Sequence, residues 1–463
     1  MTKRVGRGLT IGAGLALAAA ATLAFLRAPA APVDRLVFTE VAATAGSGEP
    51  DWRFPRRSRI VVVEPAAAGA EPVVLTPEFA AARAPDVSFD GRRVVFAGQR
   101  DPDGPWQIWE IDLGRSKARL RVPSCTRCTD PVYRADDGIV FAAPARDADS
   151  SLALYTVAPG QAEPERITFH PASDAALGLL SDGRVIVAVA ESADAPATEY
   201  WAMRHNGTGA ELMYRSPAGS TLPGRVHERG RELVFVERPA SGSPRVVSIS
   251  EAYPSSSRSE ILPAAGAIRS VFPAPDGSLL AALRPDDSAA YEVWRLGRDG
   301  SPGKRVAVAE AGYQAVEPVL ATPRPRPLGF VSALDPAAAT GTFFGLNARL
   351  TGHGAVDSAA ATLRVRTPDG DLGDVPLAED GSFHVQLPSN TPLRLETVDR
   401  EGRVVDGPSA WIWARPGELS GCVGCHEDRG LVPENRVPMA AILPATPLVA
   451  GADDAPGGHG EGR

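Results

Sequence analysis

Cysteine is scarce in this chain, with four in 463 residues, so no disulfide-built scaffold is available to it. Lysine is scarcer still: Lys3, Lys117 and Lys304 stand against 45 arginines. No basic excess exists, since the net charge is −8, and this argues against a nucleic-acid partner. Aromatic residues are only 6% of the total. No G-x-S-x-G is present, and His227-Glu228 is followed by Arg229-Gly230 rather than by the rest of an H-E-x-x-H. A serine hydrolase and a zincin are therefore not expected. Glycine (46) and proline (43) are abundant but follow no three-residue period, so collagen is excluded. They read instead as turns between many short elements.

One long apolar run exists, Leu9 to Leu26, preceded by Lys3, Arg4 and Arg7. Ala28-x-Ala30 follows as a fitting cleavage site, so residues 1–32 read as an export signal. The run is also long enough to span a bilayer, so an uncleaved membrane anchor stands beside that reading. Either way the remainder is expected in an oxidising, periplasmic or extracytoplasmic compartment, free or anchored to the inner membrane.

The middle of the chain repeats. A turn ending in glycine precedes a β-branched or aromatic run at Asp90-Gly91, Asp137-Gly138, Asp182-Gly183, Gly230 and Asp276-Gly277. These glycines lie 47, 45, 47 and 47 residues apart. Weaker copies flank them at Asp34–Phe38 and Pro327–Val331. Second alternating runs follow, as at Ile108–Ile111, Leu152–Tyr155 and Val293–Leu296. Several short strands per unit of this length are the pattern of propeller blades, with glycine supplying the tight turn. A β-sandwich with accidental spacing is the plainer alternative.

The run Ala84–Phe96 with Gln107–Asp112 resembles the TolB-type propeller repeat, over roughly residues 34–335. The resemblance implies six or seven blades, the first and last phrases sharing one blade if the ring closes on itself. Fold alone implies no chemistry. Asp101, Asp103, Asp147 and Asp149 suit either a calcium site or turns that cap their own backbone. His170, His205 and His227 read as isolated structural histidines. Cys125-x-x-Cys128 suits a local disulfide, or half of a zinc site completed by the other two cysteines. A thioredoxin-like role lacks its βαβ context.

Beyond about Gly341 the repeat stops. Thr362–Arg366, Ser382–Leu387 and Leu393–Val398 alternate with period two between turns at Pro368–Gly370, Glu379–Gly381 and Glu401–Gly402. A small antiparallel, sandwich-like domain follows from that pattern. The expected organisation is all-β: a signal or anchor over 1–32, a propeller over 33–338 and a small β domain over 339–408. A haem-binding segment over 409–445 and a disordered tail over 446–463 complete it.

Cys422-Val-Gly-Cys425-His426 is C-x-x-C-H, the attachment sequence of a c-type haem. Two thiols three positions apart reach two vinyl groups along one porphyrin edge, and the adjacent imidazole serves as proximal iron ligand. The alternative is a disulfide or zinc half-site with a coincidental histidine. Met439, His384 and His353 are the candidates for the second axial position. Trp411 and Trp413 suit apolar cover for a macrocycle, or a core strand. Arg415 and Arg429 suit propionate partners, or plain surface residues. The implied cofactor is one covalent haem c. The implied role is electron transfer with an unidentified redox partner protein, the propeller serving as a docking platform. Alternatives are a haem enzyme on small nitrogen or oxygen species and a non-redox binding scaffold.

Asp380–Pro388, Thr391–Arg394, Arg415–Glu418 and Gly421–Arg429 together resemble the haem-bearing middle domain of hydrazine synthase α-subunit-like proteins. That family also places a propeller before the haem domain. Its iron-bound tyrosine, four positions after the motif histidine, corresponds to Gly430 here. It continues into a further haem domain, whereas this sequence runs through glycine- and aspartate-rich residues to Arg463.

Overall fold

The computed structural model describes residues 35–43, 50–64, 71–115, 117–145, 151–191, 195–261, 266–286, 289–301, 303–351, 359–425 and 435–448. The N-terminal apolar run and the tail from 449 onward lie outside these residues. The described chain is all-β; its one helical element is the single turn Met439–Ile442. No helix among the described residues is long and apolar enough to cross a membrane.

Six four-stranded sheets form the first domain. Blades two to six occupy 81–122, 129–166, 173–215, 227–261 and 267–307 in simple order. Blade one is closed by the far end of the domain: Tyr313–Ala321 pairs antiparallel with Arg35–Ala42. Closure by a late strand removes the open sheet edge. The Asp34–Phe38 phrase is therefore a true blade strand, but Pro327–Val331 is not a strand. It belongs to a Pro-rich connection that carries no ladder, because proline lacks the N–H.

That connection straps one rim of the propeller. The Arg324 backbone N–H donates to Phe89 O at 2.9 Å. Its guanidinium lies against Asp86 at 3.3 Å and over the Phe89 ring. Arg326 reaches Asp137 at 3.1 Å. Gly91 and Gly183 adopt φ of +71° and +90°, and a Cβ there would press on Pro323 and on the Leu328 carbonyl. The Asp-Gly turns of the repeat thus do two jobs: they reverse the chain and they leave room for the strap.

The innermost strands share a device that the spacing did not reveal. Ala84, Asp130, Ala176 and Glu317 all have φ between 51° and 56°. Each lies in a register shift of its ladder. Three of the four precede a proline, which cannot donate to the ladder. The bulges bring charged side chains together in the ring centre: Arg83 lies 3.3 Å from Asp130 and pairs with Glu317.

The second domain is a two-sheet sandwich. One sheet runs Leu419–Cys425, Thr340–Thr351, Phe383–Pro388, Thr446–Pro447; the other runs Gly370–Pro376, Thr362–Thr367, Arg394–Val398, Val404–Asp406. Phe343, Leu363, Val365, Phe383, Val385 and Leu387 fill the space between them. Both outer strands of the first sheet pair in parallel, where an antiparallel unit was expected. A period of two reports which face is buried, not which way the neighbour runs.

Candidate haem-attachment site

The cysteine motif begins on the strand Leu419–Cys425, at the edge of the sandwich. Residues 409–425 are thereby built into that domain. Gly345 is the register partner of Cys422, and Phe344 that of Gly421. Paired residues share a face, so Cys422 lies on the side of Gly345, toward the core. A Cβ at Gly345 would collide with the Phe383 ring, which occupies that place. Gly421 has nothing within 4 Å of the position a Cβ would take.

Cys422 is half-buried and forms no disulfide among the described residues. Burial pushes its thiol up from the ordinary value. Cys425 ends the strand, and its side chain, with His426, lies outside the described residues. His353, Arg429, Gly430, Asp147 and Asp149 also lie outside them.

Cys125 and Cys128 are joined to each other, with Cα atoms 6.0 Å apart, in the buried cluster between blades two and three. Oxidised sulfurs carry no thiolate, so the four-cysteine zinc reading fails. Among the described residues no group of three or more His, Cys, Asp or Glu side chains could hold a metal ion. The histidines of the propeller sit apart. Burial, with nearby Arg134, lowers His205 to about 4; burial, with Arg225 and Arg324, lowers His227 to about 3.

Two candidates for the second axial position lie within the described residues. His384 projects from Phe383–Pro388 on the face of Phe344, whose ring it meets at 5.8 Å. Its Nδ1 lies 3.1 Å from the carbonyl of Leu443, which follows the turn carrying Met439. Met439 is 44% exposed. That turn is tied down by a clamp that sequence reasoning missed. Asp380 Oδ2 accepts from the Met439 N–H at 2.8 Å and pairs with Arg436. The Ala440 N–H donates to Ser382 Oγ at 2.9 Å. The signal was the Asp380-Gly-Ser382 turn, which the alternation marked only as a break between strands.

Trp413 and Arg415 do something other than the sequence suggested. Trp413 is 4% exposed, packs against blade four and donates from Nε1 to Gly207 O at 3.1 Å. Arg415 donates to Asn206 O at 2.9 Å and to Asn390 Oδ1 at 2.6 Å, and pairs with Glu165 at 2.5 Å. Its guanidinium is spent at the domain interface and is not free for a propionate.

The residues present fit a covalent haem. Cys422 makes no disulfide among the described residues, and open space lies beside it, on the other face of the strand at Gly421. Leu419, Val437, Ile442 and Leu443 expose apolar side chains close to the motif in sequence. Fold and site together define a six-bladed β-propeller joined to a small sandwich that carries a C-x-x-C-H sequence.

Comparison with known proteins gives this class a family context. Residues 343–427, ending just past the motif, match the family described as the hydrazine synthase alpha subunit middle domain. Hydrazine synthase subunit alpha of Kuenenia stuttgartiensis is 34% identical over 112 residues, which is 23% of this chain and 14% of that subunit. The solved structure of Kuenenia stuttgartiensis hydrazine synthase aligns with a TM-score of 0.72 at 18% identity. It covers 89% of this chain and 71% of that one, a likeness of fold across both domains. TolB from Acinetobacter baumannii aligns at 0.43 and 12% identity, over 62% of this chain and 67% of its own.

Proposed function

We propose that this chain is an extracytoplasmic c-type haem protein that acts on small nitrogen or oxygen species, in the manner of hydrazine synthase alpha-like proteins. Cys422 and Cys425 would hold the macrocycle by two thioether bonds, and His426 would be the proximal ligand. When bound, the haem supplies an iron that exchanges electrons and binds small ligands at an open position. Cys422, the first attachment point in this reading, lies on a strand that pairs with Thr340–Thr351. The Asp380 clamp holds the Met439 backbone, and His384 meets the Leu443 carbonyl.

One observation carries the reading: the family match extends through both cysteines and the histidine of the C-x-x-C-H motif. Electron transfer, which the motif alone suggests, gains no further support from the fold or the relatives. The likeness to a synthase subunit favours an enzyme instead. Export rests on the N-terminal charged and apolar run.

The test is covalent haem and an open iron. After expression with a c-type maturation system, the denatured wild-type band should stain for haem and Cys422→Ala should not. Carbon monoxide should then shift the spectrum of the reduced protein. An unstained wild-type band overturns the proposal; a stained protein with no shift turns it toward an electron carrier.

A further inference from the structure

A crevice of about 470 Å³ opens between blade four and the sandwich, and none of its lining residues belongs to the haem motif. Junctions between domains are common places for small-molecule sites. Trp201 and Trp411 give it flat apolar walls. Two acidic residues line it, Glu191 and Glu199; Glu199 is already engaged, its Oε1 accepting from Arg215 Nε at 2.7 Å and its Oε2 from Trp201 Nε1 at 2.8 Å. Arg394 is not. Its guanidinium carbon lies 4.3 Å from the centre of the Trp411 ring, and it has no carboxylate partner among the described residues. Its Nε is buried without an acceptor among them.

His170 lines the same crevice, with its side chain only 5% exposed. Nε2 sits 3.0 Å from Asp174 Oδ1, and Asp174 is itself held by the Thr168 hydroxyl at 2.6 Å. Neither ring nitrogen makes a hydrogen bond among the described residues, although Nε2 lies close to the Asp174 carboxylate. Buried polar atoms are rarely left unpaired, and three such atoms on two side chains lining one crevice call for a reason. Arginine's planar fork, laid against an aromatic ring and without a protein carboxylate, suits a bidentate carboxylate from outside.

We propose that this crevice binds a small planar carboxylate. Its charged end pairs with Arg394 and its body lies between Trp201 and Trp411. The site is separate from the haem motif and stands or falls independently of it.

Calorimetric titration of the purified full chain tests this, with benzoate as probe and benzamide as its uncharged counterpart. Benzoate should bind about tenfold or more tighter than benzamide, because only the former offers two anionic acceptors. Arg394→Gln should erase that difference. Arg394→Lys, which keeps the charge but loses the fork, should restore part of it and guards against simple misfolding. Thermal unfolding of each variant confirms the fold, and Cys422→Ala should bind benzoate as the wild type does. Absence of benzoate binding at about 10 mM overturns the proposal. Equal binding of benzoate by wild type and Arg394→Gln overturns it as well.

Discussion

Single residues decide whether the segment after the haem motif is held. Asp380 is the clearest case. Burial alone would raise its carboxyl, but hydrogen bonds from Ser382, the Met439 N–H and Arg436 outweigh it and hold the group at about 2. An ordinary aspartate titrates near about 3.9. A depressed carboxylate stabilises the fold above its unfolded value and loses that contribution as pH falls toward its folded one. The clamp should therefore begin to loosen below about pH 4 and be gone near pH 2. Asp380→Ala should release it at neutral pH. Trypsin cleavage after Arg436 should accelerate about fivefold or more, while the melting temperature barely moves. Unchanged cleavage would show that the segment is held by other contacts. Cys422, Cys425 and His426 were legible because cysteine and histidine are both rare in this chain and their spacing matches one particular chemistry. Asp380 was not, because Asp-Gly-Ser is ordinary turn chemistry until the distant segment docks on it.

At the scale of strands, ring closure is the vulnerable step. Glu317 sits on the closing strand Tyr313–Ala321, where Arg83 and Thr39 both bond to it. Burial would raise its carboxyl, yet Arg83 and Arg225 hold it below the usual range. Glu317→Leu would leave the buried Arg83 with Asp130 alone. A loss of about 3 kcal/mol is expected, read as a lower urea midpoint. A midpoint within error of wild type would show that the closing ladder does not depend on this pair. The strands themselves were readable from β-branched runs at constant spacing. The bulges were not: they depend on left-handed backbone at four matching places, three of them before a proline, where the residues are alanine, aspartate and glutamate.

At the scale of the whole molecule, two domains meet through a small number of buried side chains. Trp413 and Arg415 come from the sandwich and bond to the Asn206-Gly207 turn of blade four. Trp413→Ala should cost about 3–5 kcal/mol where that packing is lost. Calorimetry should then resolve two transitions in place of one, since each domain keeps its own core. A single unshifted transition would place the coupling elsewhere, in the strap that crosses the propeller rim.

The sequence by itself determined the all-β class, the blade period, the second domain and the presence of a C-x-x-C-H motif. Each rests on local information: glycine turns, period-two burial and residue identity at fixed spacing. Only the tertiary structure decided that six blades close through Tyr313–Ala321, and that the motif strand runs parallel to its neighbour. It alone moved Trp413 and Arg415 from an expected haem environment to the domain junction. These are contacts between residues far apart in the chain, and no local pattern encodes which buried face will meet which.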